Sequence, residues 1–254
     1  MLRKHRTGYR HFIFFFLLLF LSTCAGDEAA RKKRVQALQD LGNSLAEQGD
    51  LRRGLSKLLE AAKLDPDDPE INHQIAVILR NLGDYPLSLQ YFQRALKLRP
   101  RFPEAQNNLG TLYLVMQKWD QAVECFKKAA ADLEYRTPQY AYNNLGIAYF
   151  NQGKYAKAVE SYQKALESAP RYRLCYINLA WAHEARGDLR AAADAYKKLL
   201  AYYPGDAAAH FALAKLLLKL GEREQAVKEL KLTVKYGDKS SEAQEARDLL
   251  GGLE

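Results

Sequence analysis

Apolar and polar positions along this chain alternate at helical spacing, and the alternation itself recurs as a unit. Tyr142-Asn143-Asn144-Leu145-Gly146-Ile147-Ala148-Tyr149 predicts one helix; after Gly153, the series Tyr155, Ala158, Tyr162 and Ala165 predicts a second, ended by Pro170. The Leu145-Gly146 pair, or a small-residue equivalent, returns at Leu41-Gly42, Ile75-Ala76, Leu109-Gly110, Leu179-Ala180 and Leu213-Ala214. The period is 34 residues, with one step of 36 between 109 and 145. A fixed period of this length predicts stacked helical hairpins, an all-α architecture in which each unit packs on its neighbours.

Other positions keep step. Gly49, Gly83, Gly153, Gly187 and Gly221 stand fifteenth in their units, where a left-handed residue ends the first helix; only Gln117 departs. Small residues at Gly54, Ser88, Ala122, Ala158, Ala192 and Ala226 precede by four positions the bulky Leu58, Phe92, Phe126, Tyr162, Tyr196 and Leu230. Pro66, Pro100, Pro170 and Pro204 close units. This pattern resembles the tetratricopeptide repeat (TPR), over 35–68, 69–102, 103–138, 139–172, 173–206 and 207–238. The resemblance implies a right-handed superhelical solenoid of six helix-turn-helix repeats. Ser241-Glu242-Ala243-Gln244 reads as a capping box opening a terminal helix within 239–254, with Ala243, Ala246, Leu249 and Leu250 on one face and Gly251-Gly252 as its stop.

The N-terminus follows another pattern. A basic start is followed by a wholly apolar run over 12–21 and then small residues, which reads as a signal peptide over 1–23; the run is too short to span a bilayer as a helix. Leu21-Ser22-Thr23-Cys24 is similar to a bacterial lipobox, implying lipid attachment at Cys24, although Thr23 departs from the pattern; cleavage after Ala25 or Gly26 is the competing reading. Ala25 behind the cysteine resembles the outer-membrane sorting signal, so the implied location is the periplasm, attached to the outer membrane. Residues 24–34 read as a lipid-attached tether, its Arg31–Arg34 cluster opening the first helix.

Charge narrows the function little. The net +8 falls to +4 without residues 1–23, and no basic stripe with interleaved aromatics suggests nucleic acid. Cys125 and Cys175 sit two repeats apart and read as core residues, as do His183 and His210. No metal-ligand spacing, phosphate loop or nucleophile motif occurs, so no enzyme, cofactor, metal or small-molecule substrate is expected.

What remains is surface. In the TPR fold the first helices line the concave face, and the sixth positions read Asp40, Gln74, Asn108, Asn144, Asn178 and Ala212. A row of amides offers donors and acceptors for the backbone of an extended peptide, or for bonds within its own hairpin, and both readings stay open. Beside it lie Leu114, Val115, Ile147, Phe150, Leu174, Ile177, Trp181, Phe211 and Leu218. The candidate partner-binding set is Asn108, Asn144, Asn178, Phe150, Trp181, Ile147, Leu114 and Phe211. The two-residue insertion around Tyr135, Thr137 and Pro138, six repeats and an export signal together resemble the type IV pilus pilotin family PilF/PilW. That resemblance implies a scaffold that binds a pilus secretin and assists its localisation or assembly. The alternative is an exported adaptor for cell-wall hydrolases or polysaccharide-export machinery.

Overall fold

The computed structural model describes residues 6–253, with side chains described from residue 27 onward. The signal-peptide reading of residues 1–23 and the lipid-attachment reading of Cys24 fall outside the described side chains. Among the described residues there are thirteen α-helices and no strand. None of these helices is long and apolar enough to cross a membrane.

The chain divides into two compact units. The first, ending at Pro100, holds α1 (Arg6–Glu47), α2 (Leu51–Leu64), α3 (Pro69–Leu82) and α4 (Tyr85–Leu98). Each helix pairs with the next as an antiparallel hairpin, and Leu58, Ile71, Ile75, Ile78 and Leu79 form the buried core. Residues 27–34 belong to α1, and Arg31 Nη1 donates to Leu64 O at 3.1 Å, tying this stretch to the end of α2. Aspartates cap three helices: Asp50 accepts from Arg53 N, Asp68 from Glu70 N and Ile71 N, and Asp84 from Leu87 N. Pro86 lies in the first turn of α4, where its missing N–H costs nothing.

The second unit begins at Arg101 and contains α5 (Pro103–Val115), α6 (Trp119–Ala131), α7 (Pro138–Asn151), α8 (Tyr155–Ser168), α9 (Arg173–Ala185), α10 (Leu189–Tyr202), α11 (Ala207–Lys219), α12 (Arg223–Gly237) and α13 (Ser241–Leu253). The small and bulky positions interlock as their spacing predicts. A Cβ placed on Gly110 would stand 2.5 Å from the Phe126 ring, and one on Gly146 would collide with Tyr162 in the same way. The glycine therefore makes room for the aromatic ring of the second helix, and both rings are buried. The fifteenth-position turn is left-handed throughout, with φ from +71° to +87° at the glycines and +57° at Gln117.

A second periodic device concerns the fourth position of a unit, whose side chain reaches back to the proline carbonyl six residues earlier. In the first unit Asn72 Nδ2 donates to Pro66 O at 3.1 Å; in the second, Tyr176 Oη donates to Pro170 O at 3.1 Å, and His210 Nε2 lies 3.0 Å from Pro204 O. The other His210 nitrogen, Nδ1, lies 2.5 Å from Glu229 Oε2, and the ring stacks on Tyr236. His210 is thus a buried packing residue that also ties the loop before α11 to α12.

The insertion between α6 and α7 is built rather than loose. Asp132 Oδ1 accepts from Glu134 N at 2.9 Å and pairs with Arg101 at 3.4 Å, while Tyr135 is buried against Ala129, Ala130 and Ala141.

The terminal helix differs in two details from the sequence expectation. Its cap is Ser240, whose Oγ accepts from Ala243 N at 3.2 Å; Ser241 instead donates to Glu242. Gly251-Gly252 do not stop it: α13 runs to Leu253, which packs with Leu249 and Leu250 over Phe211, Ala214 and Leu230. Burial of this apolar side chain outweighs the weak helix propensity of two glycines.

Candidate functional site

The first helices of the second unit, α5, α7 and α9, lie side by side and carry very little charge. Helix α7 has no charged side chain, α5 has only Glu104, and α9 carries Arg173 and Glu184 near its two ends; lysines and glutamates are concentrated on the second helices. The outward positions of α5, α7 and α9 instead present Leu114 and Val115, Ile147 and Phe150, then Leu174, Ile177 and Trp181. Leu114, Ile147, Phe150 and Ile177 are half-buried, resting on the core below, whereas Val115, Leu174 and Trp181 are 48%, 48% and 52% exposed. Apolar rows on three successive helices make a face that water covers at a free-energy cost, the signature of a partner site.

Two of these aromatic side chains are held from behind. The Phe150 ring lies 5.2 Å from that of Tyr155, and Trp181 lies beside Tyr196, whose pKa burial pushes up to about 12. Preset orientation lowers the entropy lost when such anchors are covered. At the far side of the face, Lys219 pairs with Glu184 at 3.3 Å.

The amides are arranged otherwise than a sixth-position ladder. Asn144 Nδ2 donates to Asn107 Oδ1 at 3.2 Å, and Asn178 Nδ2 donates to Asn143 Oδ1 at 3.0 Å. Each bond joins the sixth position of one repeat to the fifth position of the repeat before it. Asn178 and Asn143 are buried; Asn108 and Asn144 are half-buried. Asn178 therefore belongs to the inter-repeat packing and not to an exposed peptide clamp, because its amide is covered and already satisfied. The Asn-Asn doublets at 107–108 and 143–144 were the sequence signal for this pairing.

Phe211 is corrected likewise. It is 7% exposed, lies beneath the leucines of α13 and has Lys215 Nζ 5.1 Å from its ring centroid, so the terminal helix already occupies the surface it would have offered. Of the expected set, Leu114, Ile147, Phe150 and Trp181 are brought together on one face, with Asn108 and Asn144 half-buried beside it.

Chemistry outside this face is muted. Cys125 and Cys175 are buried free thiols, pushed by burial up to about 11 and about 12 respectively. Such thiols are poor nucleophiles. Among the described residues no group of three or more His, Cys, Asp or Glu could hold a metal ion.

The comparisons agree with this architecture. Tetratricopeptide-repeat family models match residues 40–105, 101–171, 139–205 and 183–250. The structure is similar to PilF of Pseudomonas aeruginosa, with TM-score 0.71 and 19% identity over 86% of this chain and 99% of that one. It is also similar to PilW, described as a widely conserved type IV pilus biogenesis factor, with TM-score 0.73 and 24% identity over 83% of this chain and 97% of that one. Among curated proteins, 162 residues are 27% identical to the human protein O-mannosyl-transferase TMTC3. A further 75 are 35% identical to the photosystem I assembly protein Ycf3 of Rippkaea orientalis. These alignments cover 62% and 28% of this chain, but only 18% and 43% of those relatives. With the helix pairs, their period and the matched models in accord, the chain belongs to the tetratricopeptide-repeat family.

Proposed function

We propose that this protein is an envelope scaffold that holds a protein partner on the apolar face of α5, α7 and α9, and that the partner is the secretin of a type IV pilus. The observation that carries the binding face is Trp181, half exposed between Leu174 and Ile177 of its own helix and the apolar rows of α5 and α7. Similarity in fold to PilF and PilW over most of their length supports the pilus assignment. In this reading the protein is non-catalytic. Lipid at Cys24 would attach it to the periplasmic side of the outer membrane, and the first-helix face would supply affinity. A multiply acylated cysteine anchors stably, since each buried methylene contributes about 0.8 kcal/mol.

The test is affinity purification of the full-length protein from detergent-solubilised envelope, with mass spectrometry of the partners, for wild type and for Phe150→Ala with Trp181→Ala. Recovery of a secretin by wild type and its loss from the double variant supports the proposal. A secretin retained at wild-type yield rejects the face; recovery of wall hydrolases or polymer-export proteins instead rejects the pilus partner. Metabolic labelling with a fatty-acid analogue, present in wild type and absent in Cys24→Ala, tests the anchor.

A further inference from the structure

At the edge where the repeats are joined, Gln139, Tyr140, Ala169, Pro170, Arg171 and Tyr172 line a cleft of about 450 Å³. It shares no residue with the face of α5, α7 and α9. Tyr140 and Tyr172 meet edge to face, 5.6 Å between centroids and 84° between planes, so their rings form two walls of an open corner. Tyr140 is 46% exposed. The Arg171 guanidinium lies 5.9 Å over the Tyr202 ring, and among the described residues it has no carboxylate or carbonyl partner. Two other arginines of this unit are matched: Arg173 pairs with Asp206 and Arg101 with Asp132. No acidic side chain lines the cleft.

We propose that this cleft binds an extended peptide in which a proline precedes an acidic residue. A pyrrolidine ring fits an aromatic corner and loses little conformational freedom there, as in other recognition of proline-rich segments. The guanidinium over the Tyr202 ring keeps its planar fork of N–H donors free for a carboxylate, a role a lysine would fill less selectively. Gln139, whose side-chain amide has no hydrogen-bond partner among the described residues, offers a donor and an acceptor to the intervening peptide unit. The cleft thus supplies one group for each part of the motif.

The test uses fluorescence anisotropy of the full chain in detergent micelles with two labelled peptides, Gly-Pro-Pro-Asp-Gly and Gly-Pro-Pro-Asn-Gly. The aspartate peptide should bind at least about fivefold more tightly, as expected for a charge-assisted bond. Arg171→Gln should bring the two peptides to parity, and Tyr140→Ala should weaken both. Arg171→Gln keeps the bond that Tyr203 Oη donates to the residue-171 backbone carbonyl at 2.6 Å. If Tyr140→Ala unfolds, Arg171→Gln alone decides. Equal affinity for the two peptides, no binding of either at millimolar concentration, or an undiminished preference in Arg171→Gln overturns the proposal. Binding of galacturonic acid in place of the peptides also overturns it, by assigning the cleft to an acidic sugar. Because the residues are separate, loss of partner capture by the Trp181 variant leaves this test intact.

Discussion

Asn178 donates its side-chain amide to the Oδ1 of Asn143, one repeat earlier, at 3.0 Å, and both side chains are buried. The bond fixes the rotation of α9 against α7, since a helix turned by one residue would carry Asn178 away by about 100°. Asn143→Ala leaves the buried Asn178 amide without its acceptor, so it should cost about 1–3 kcal/mol. Removing both amides should cost clearly less than the sum of the two single changes. Urea unfolding of the four proteins in the cycle checks this; strict additivity would mean that the pair is not coupled.

Gln117 occupies a left-handed turn, φ +57°, where every other repeat with a described turn uses glycine. A side chain there costs roughly 1 kcal/mol. Gln117→Gly should therefore stabilise the protein by about that amount, less the entropy glycine adds to the unfolded chain. A melting temperature that falls in this variant would show that the Gln117 side chain contributes contacts worth more than its backbone strain.

Phe211 separates packing from binding. Its truncation to alanine opens a cavity between α11 and α13, with an expected loss of about 3–5 kcal/mol. Hydrogen exchange should show α13 losing protection before the helices ahead of it, because an end helix has a neighbour on one side only. Trp181→Ala, by contrast, should cost clearly less, about 1–2 kcal/mol, since half of the side chain is already in water. Comparable destabilisation by both substitutions would assign Trp181 to the core.

The period was legible because one steric fact writes itself into each unit: Gly110 and Gly146 stand where Phe126 and Tyr162 need room. Bulky and small residues must then recur at fixed offsets, and a one-dimensional sequence records offsets well. The amide pairing was less legible, since a shift from sixth position to fifth changes which repeat a side chain faces while leaving its hairpin the same. Phe211 misled for a related reason. Its position matches that of the half-buried Ile177, and only the path of α13 over Leu230 and Ala214 shows that it is covered. The free guanidinium of Arg171 carries no sequence signal, because Arg173, two residues away, is paired.

His73, on α3, lies with its ring 6.0 Å from that of Phe92, and its pKa is lowered from 6.5 to about 4, chiefly by burial and further by the charges of Arg80 and Arg99. The folded protein therefore keeps this imidazole neutral in a range where the unfolded chain protonates it. Below about pH 6.5 the unfolded state binds a proton that the folded state does not, so stability should fall as the pH drops from 6.5 to about 4 and stop falling from this cause below that. The full effect is on the order of 3 kcal/mol, from a shift of roughly two to three units. Carboxylates titrate over part of the same range, so the informative quantity is the difference between wild type and His73→Gln. That difference should narrow steadily, the variant losing less stability on acidification than the wild type. Parallel stability profiles for the two proteins between pH 7 and pH 4.5 would show that His73 takes up its proton as readily in the fold as out of it.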